Sequence, residues 1–129
     1  DYRRQYNPNK FYILKKNIQR KNGLLLSNKL HQILHAHSIG YKVIQQYISE
    51  TALIGRRKIN LRFYLLITGY QNKVLGYVHR EGKCIYANKD YYPGDQEFER
   101  NITSYHLDMN IYRTHPQTFE QLHFYYQHK

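Results

Sequence analysis

Lys58, Asn60 and Arg62 place a cation, an amide and a second cation at alternate positions of one short stretch. If that stretch is a β-strand, the three share a face, and Ile59, Leu61, Phe63, Leu65 and Ile67 share the other. A strand face of mixed cationic and amide character calls for a ligand or a partner, and fixed cations of this kind suit a phosphate or a carboxylate. Further cations stand at Lys15 and Lys16, at Arg20 and Lys21 just before Gly23, and at Arg80 just before Glu81-Gly82. Lys15 and Lys16 equally fit a solvated turn, and Arg80 a hairpin surface charge. His31 and His35 lie four apart with His37 nearby, but no third ligand or Glu of an H-E-x-x-H pattern accompanies them, so no metal site is assigned. Cys84, inside an apolar run, reads as a small core residue. No phosphate-binding G-x-x-x-x-G-K-[ST] loop, dinucleotide fingerprint or nucleophile elbow is present.

The elements that must carry these residues follow from their flanks. Phe11 to Leu14, a polar stretch from Lys15 to Asn22, and Gly23 to Leu26 read as strand, basic turn, strand. Ser27 or Asn28 caps an expected helix with Leu30, Ile33 and Leu34 on its apolar face, ended by Gly40. Tyr41 to Ile48 and Lys58 to Thr68 are strands, the second with the clearest alternation in the chain. Gln71-Asn72 turns into Lys73 to Arg80, and Glu81-Gly82 is expected to turn again into Lys83 to Ala87, giving a meander. Tyr91 to Thr103 reads as loop around Pro93-Gly94. A last helix is expected from Thr114, with Pro116 just inside it and Phe119, Leu122 and Tyr126 on its apolar side. The class is α+β, with a mostly antiparallel sheet and one or two packed helices.

Composition bounds the rest. The chain has 129 residues, enough for one domain with a modest core, and no repeat or linker divides it. Lys plus Arg number 20 against 9 Asp plus Glu, so the formal charge is 20 − 9 = +11. That balance attracts nucleic acid, nucleotides or acidic peptides, although a chain rich in Lys, Asn, Tyr and Ile also fits compositional drift. An aromatic fraction of 16%, with 15 Tyr, argues against a disordered tail. The longest apolar run, Phe63 to Ile67, is far short of the roughly 18 residues of a membrane helix, so no membrane partner is expected. A lone cysteine excludes a disulfide scaffold and fits a reducing, cytoplasmic compartment. The polar start Asp1-Tyr2-Arg3-Arg4, without Met, reads as a segment cut from something longer.

Four segments in order resemble the tubulin–tyrosine ligase-like branch of the ATP-grasp superfamily. Ile13-Leu14-Lys15-Lys16-Asn17 with Gln19 to Leu24 resembles the family's "I-[VL]-K-P-[NS]…R-[GK]-x-G-[IL]". Val43 to Ile48 with Leu53-Ile54 is similar to "V-[VI]-Q-x-Y-I…P-L-L-I". Gly55 to Leu66 resembles "G-x-K-F-D-[IL]-R-x-[YW]-[VL]-L", and Tyr77 to Gly82 resembles "Y-[LV]-[YH]-R-[ED]-G". Asn101 with His106-Leu107 is similar to "N-x-x-x-H-L-T-N". The resemblance covers nearly all of residues 1–129 and implies a partial ATP-grasp domain, truncated at both ends.

The resemblance implies an ATP-dependent carboxylate–amine ligase that adds an amino acid to a protein carboxylate through an acyl phosphate. Its partners would be ATP, Mg²⁺, an amino acid, and an acidic protein or peptide acceptor such as a tubulin-like tail. By the same resemblance, Gln46, Tyr47 and Ile48 form the hinge whose backbone reads the adenine edge, and Lys58 and Asn60 sit near ribose and phosphate. Arg62 and Arg80 would hold the γ-phosphate or the acceptor carboxylate. Chemistry supports the arrangement, since phosphoryl transfer needs cations around the phosphates. Lys15 ends a strand and can reach them, and Arg20 and Lys21 with the amides around Gly23 can cover them.

The chain departs from the family pattern at three places. Lys16 replaces a Pro, Asn60 replaces an Asp, and Asp108-Met109 replace Thr-Asn. The family's Mg²⁺ ligands are an Asp and a later Glu-x-Asn, whereas Glu120 here is followed by Gln121-Leu122, so the metal ligands are expected outside this segment and the segment alone is expected to be inactive. The alternative is a non-catalytic basic binding module. It would be a degenerate ATP-grasp unit or a single-stranded nucleic-acid binder whose tyrosines stack on bases.

Overall fold

A computed structural model describes residues 6–16 and 23–129, which fall into two units, Asp1–Thr51 and Ala52–Lys129. Arg20 and Lys21 lie outside the described residues. Each unit has one three-stranded antiparallel arrangement with helical segments, which is the α+β class expected.

In the first unit, β1 (Tyr12–Lys15) runs between β2 (Leu24–Ser27) and β3 (Val43–Gln46). The register pairs Leu14 with Leu25 and Ile44, and Lys15 with Leu24 and Val43. Alternation therefore turns Tyr12 and Leu14 toward Ile33 and Ala36 of α1 (Leu30–Ser38), with Tyr6, Leu25, Tyr41 and Ile44 around them. The sequence expected Leu34 on that helix face, but Leu34 is exposed and Ala36, one turn on from Ile33, is buried instead. Ser27 does not cap α1. Its hydroxyl accepts from the Lys29 amide at 3.0 Å and donates to Gln32 Oε1 at 2.5 Å, so the helix begins two residues later than a Ser27 cap would start it. Gly40 ends the helix as expected, with φ of 96°. Its amide reaches the His37 carbonyl and the Tyr41 amide the Ala36 carbonyl, the paired bonds of a Schellman ending.

The second unit is built on a hairpin. β5 (Arg57–Tyr70) and β6 (Lys73–Tyr86), each of 14 residues, are joined by Gln71-Asn72, both at positive φ (46° and 63°) as a type I′ turn requires. β4 (Leu53–Ile54) pairs with Lys58 and Arg57. The expected second turn at Glu81-Gly82 is absent. β6 continues through it, and Phe63 pairs with Gly82 while Leu65 pairs with Val78, so His79, Arg80 and Glu81 bulge opposite Tyr64. The expected meander is therefore one long ribbon with a bulge.

Ile54, Cys84, Tyr86 and Ile111 form the core, with Ile59, Leu107, Tyr112, Phe119, Leu122 and Tyr125 packed on it. Cys84 is the core residue its apolar setting implied, and burial raises its thiol above the ordinary pKa. The Tyr86 hydroxyl donates to the Pro116 carbonyl at 2.7 Å, and Tyr112 donates to the Cys84 carbonyl at 2.8 Å. The final helix, α3 (Phe119–Gln127), starts later than the Thr114 expected. The Cys84 amide donates to Gln117 and Lys83 bridges Thr118, which keeps that stretch extended along β6. Thr118 then caps α3, in a capping box with Gln121. Tyr126 is exposed, and Tyr125 takes the inward place expected for it.

The loop from residue 91 turns at Pro93-Gly94, where Gly94 has φ of 85°, and contains the one-turn helix α2 (Phe98–Asn101). Around it Arg100 reaches Glu97 at 2.8 Å and Asp95 at 3.0 Å, and Lys89 pairs with Glu97 and Glu99. No helix among the described residues is long and apolar enough to cross a membrane.

Two outcomes follow. A Cβ added at Gly82 would lie 2.3 Å from Cζ of Phe119, so Gly82→Ala must displace the ring. It should destabilise the unit by about 1–3 kcal/mol in urea unfolding, and an unchanged midpoint would show that the ring moves freely. His115 packs edge-on against the Tyr86 ring, centroids 5.1 Å apart, with Nε2 buried and unpartnered. Burial, then the nearby Arg57 cation, pull its pKa below 6.5. The folded state thus binds fewer protons than the unfolded chain, so stability is present above pH of about 6.5 and falls as pH drops below it. Unfolding midpoints measured across that range should fall toward acid, and His115→Gln should flatten this part of the slope.

Candidate functional site

Lys58, Asn60 and Arg62 sit at alternate positions of β5, and cross-strand pairing puts Leu53, Ile85 and Lys83 opposite them. Strand rise spaces successive members by about 7 Å, so the row is about 14 Å long. On the opposite face Ile59, paired with Tyr86, packs on the core, while Leu61, paired with buried Cys84, is exposed. The two-faced division inferred from alternation is therefore the observed one.

Electrostatics differ along the row. Lys58 is half-buried, and burial lowers its ammonium pKa, so an anion placed there recovers interaction that water no longer supplies. Arg62 is exposed and stands directly opposite Lys83 in the register. Like charges at paired positions oppose the ladder locally, and an anion between them would relieve that. Lys83 also lies over the Tyr112 ring, 5.8 Å from its centroid. The Lys83 contribution was not legible beforehand, because a cross-strand partner depends on register, and the register passes through an unforeseen bulge.

That bulge carries Arg80. With Glu81, Gly82, Thr118, Phe119, Glu120 and His123 it lines a recess of about 720 Å³ beside the start of α3. Arg80 is thus on a recess wall shared with two carboxylates, whereas Arg62 extends the Lys58 row. Both flank the Phe63–Gly82 pair, so one distortion of the ladder positions both arginines.

In the first unit, Lys15 is the last residue of β1 and Gln46 the last of β3. Gln46 pairs with Tyr12, three residues back from Lys15, and that odd offset puts the two side chains on opposite sheet faces. Tyr47 is buried and its amide donates to the Phe11 carbonyl at 2.8 Å, while Ile48 is exposed. The structure thus gathers Lys58, Asn60, Arg62 and Arg80 in one unit and Lys15, Gln46, Tyr47 and Ile48 in the other.

The fourth motif region does structural work. The Asn101 side-chain amide, buried, donates to the carbonyls of Asp95 at 2.7 Å and Glu97 at 2.9 Å. Asn88 donates to the His106 carbonyl at 2.9 Å and accepts from the Asp108 amide at 2.8 Å. Asp108 in turn accepts from the Asn110 amide at 2.9 Å, capping the 3₁₀ turn Met109–Arg113. A second, polar recess of about 330 Å³ lies there, lined by Arg57, Asn88, Lys89, Asp108, Asn110, Ile111 and Thr114.

The model of the Tubulin-tyrosine ligase family matches residues 1–122. A 49-residue stretch, 38% of the chain, is 39% identical to the human protein "Probable tubulin polyglutamylase TTLL2". A 74-residue stretch, 57% of the chain, is 28% identical to the mouse protein of the same description. These matches span 8% and 13% of the relatives' own lengths. A family match over almost the whole chain assigns it to the tubulin-tyrosine ligase family.

Proposed function

We propose that this chain supplies nucleotide- and acceptor-binding elements of an ATP-dependent carboxylate–amine ligase acting on a tubulin-like acidic tail. The family match carries the reading, and the row of Lys58, Asn60 and Arg62 on one strand face supports it. In this scheme Lys58 and Asn60 meet ribose and phosphate, and Arg62 and Arg80 hold the γ-phosphate or the acceptor carboxylate. By the family resemblance, Lys15, Arg20 and Lys21 are assigned to phosphate contacts. In the hinge segment, Gln46, Tyr47 and Ile48, the Tyr47 amide already serves Phe11, so the Ile48 amide is the donor assigned to adenine. The acceptor carboxylate attacks the γ-phosphorus and ADP departs, leaving an acyl phosphate. The amino group of the incoming amino acid then displaces inorganic phosphate and forms the amide, losing its proton to solvent. Among the described residues no three His, Cys, Asp or Glu side chains converge, and this reading assigns no Mg²⁺ ligand to them.

Lys58→Ala should weaken ATP binding about tenfold, because a desolvated charge–phosphate contact is lost. Titration with a fluorescent ATP analogue reads this directly, and unchanged affinity in both Lys58→Ala and Lys15→Ala overturns the site assignment.

A second reading is favoured by one observation. On the ribbon face that continues from Arg62, Tyr64, Tyr70 and Tyr77 are exposed beside Lys73. Aromatics interleaved with cations suit stacking on single-stranded bases without catalysis. Under that reading, binding to a random oligonucleotide weakens steeply with salt and is unaffected by Lys15→Ala. Binding that is weak at moderate salt and has no salt slope excludes it.

A further inference from the structure

The turn that leads into β5 rests against a histidine ring. Ile54 pairs with Arg57 and Leu53 with Lys58, so Gly55-Arg56 is a two-residue hairpin loop. Both residues have positive φ, 52° and 68°, as a type I′ turn requires, and Arg56 lacks a glycine's freedom to adopt it. The loop after β6 holds Arg56: its carbonyl accepts from the Tyr91 amide at 2.9 Å, and its side chain pairs with Asp90 at 2.5 Å. Gly55 lies on His115 instead. A Cβ at Gly55 would stand 2.7 Å from His115 Nε2, so the ring as well as the backbone demands glycine there.

The surroundings of the ring suit its neutral form. The Thr114 hydroxyl donates to the Ile111 carbonyl at 3.3 Å, which leaves its oxygen to accept Nδ1–H of His115 at 2.9 Å. Nε2 is then the bare nitrogen, buried and without a hydrogen-bond partner. A proton added there makes a buried N–H with no acceptor in bonding geometry, and a charge without water. Arg57 of β5 adds a like charge, and the Tyr86 ring of β6 stands at 72° to the imidazole, its phenol kept neutral by burial. The carbonyls of Gly55, Ile111 and Ile54 favour the proton, but burial and Arg57 outweigh them. The carboxylates beside Arg57 and Thr114 are committed elsewhere, Asp90 to Arg56 and Asp108 to the Asn110 amide.

We propose that His115 is a proton-operated latch on the start of β5: the neutral ring seats the Gly55-Arg56 turn together with Arg57 and Lys58, and protonation unseats them. A proton on Nε2 reaches water only when the turn lifts from the ring. The turn is the element that yields. β4 is only two residues long and Arg56 is held in a left-handed conformation, whereas Tyr86 is fully buried and bonded to the Pro116 carbonyl at 2.7 Å. The step reaches the candidate site because Lys58 begins the cation row. Its bearing on nucleotide affinity rests on the function proposed above, while the latch itself does not.

Proton–nitrogen NMR of the chain between about pH 7.5 and about pH 5.5 tests the latch. The His115 ring should titrate below 6.5, and the Gly55, Arg56, Arg57 and Lys58 amides should shift or broaden with the same midpoint. The Gln71-Asn72 turn, also at positive φ but at the far end of the hairpin, should not follow. In His115→Gln the four amides should lose this response. A ring that titrates while the four amides stay still overturns the proposal. So does a ring that stays neutral until the whole unit unfolds, or a response that survives in His115→Gln. Binding of the fluorescent ATP analogue extends the test to the site. Acidification should cost the chain about tenfold in affinity, the loss expected of Lys58→Ala, beyond any loss in His115→Gln. Equal losses in both proteins overturn the link from latch to site. If Lys58→Ala itself binds normally, the nucleotide reading has failed, and the amide titration alone decides the latch.

Discussion

The contact between the Phe119 ring and the bare backbone of Gly82 is the constraint on which the second unit depends. It brings the start of α3 onto the ribbon at the pair where the ladder changes register, so helix, bulge and strand meet at one point. Thr118 caps the helix immediately before that contact, and Cys84 and Tyr86, the next inward residues of β6, carry the buried core outward from it. A side chain at residue 82 would separate the helix from the sheet at the place where both arginines of the candidate site are oriented. Packing and site geometry are therefore coupled through a single missing methyl group.

The polar and apolar faces of β5 stand in a similar relation. Ile59 packs on the core, and strand alternation turns Lys58, Asn60 and Arg62 to the other face. Their direction follows from the packing of the other strand face. Arg56 and Arg57 show the contrast, since Arg56 binds Asp90 at 2.5 Å and Arg57 donates to the Ala87 carbonyl at 3.4 Å. Adjacent arginines along one chain thus divide into those that hold a loop and those that face solvent.

Much of this was legible from residues alone, for reasons that differ by element. Alternation from Lys58 to Ile67 gave the strand and its two faces, because period two has few competing explanations. Gln71-Asn72 was legible as the hairpin turn, and Gly40 as a helix end. Glu81-Gly82 misled, because the glycine there serves a close ring contact that no local pattern reveals. The start of α3 was placed too early, since the strand-like bridging of Lys83 to Thr118 is a tertiary effect that overrides the Thr114-Pro116 signal. In α1, Leu34 and Ala36 exchanged places because a small residue fits where the sheet comes close. Family motifs single out Lys15, Lys58 and Arg80 as candidates by order, whereas the pairing of Arg62 with Lys83 required the register itself.

The alternation along β5 also decides which kinds of genetic change the segment can absorb. Substitution at Lys58, Asn60 or Arg62 alters one outward group and leaves the core intact. Insertion or deletion of a single residue between them exchanges the faces, driving lysine and arginine into the core and isoleucine and leucine into water. The spacing of this stretch is consequently held more tightly than the identity of any residue in it, and length variation in the unit is confined to its turns.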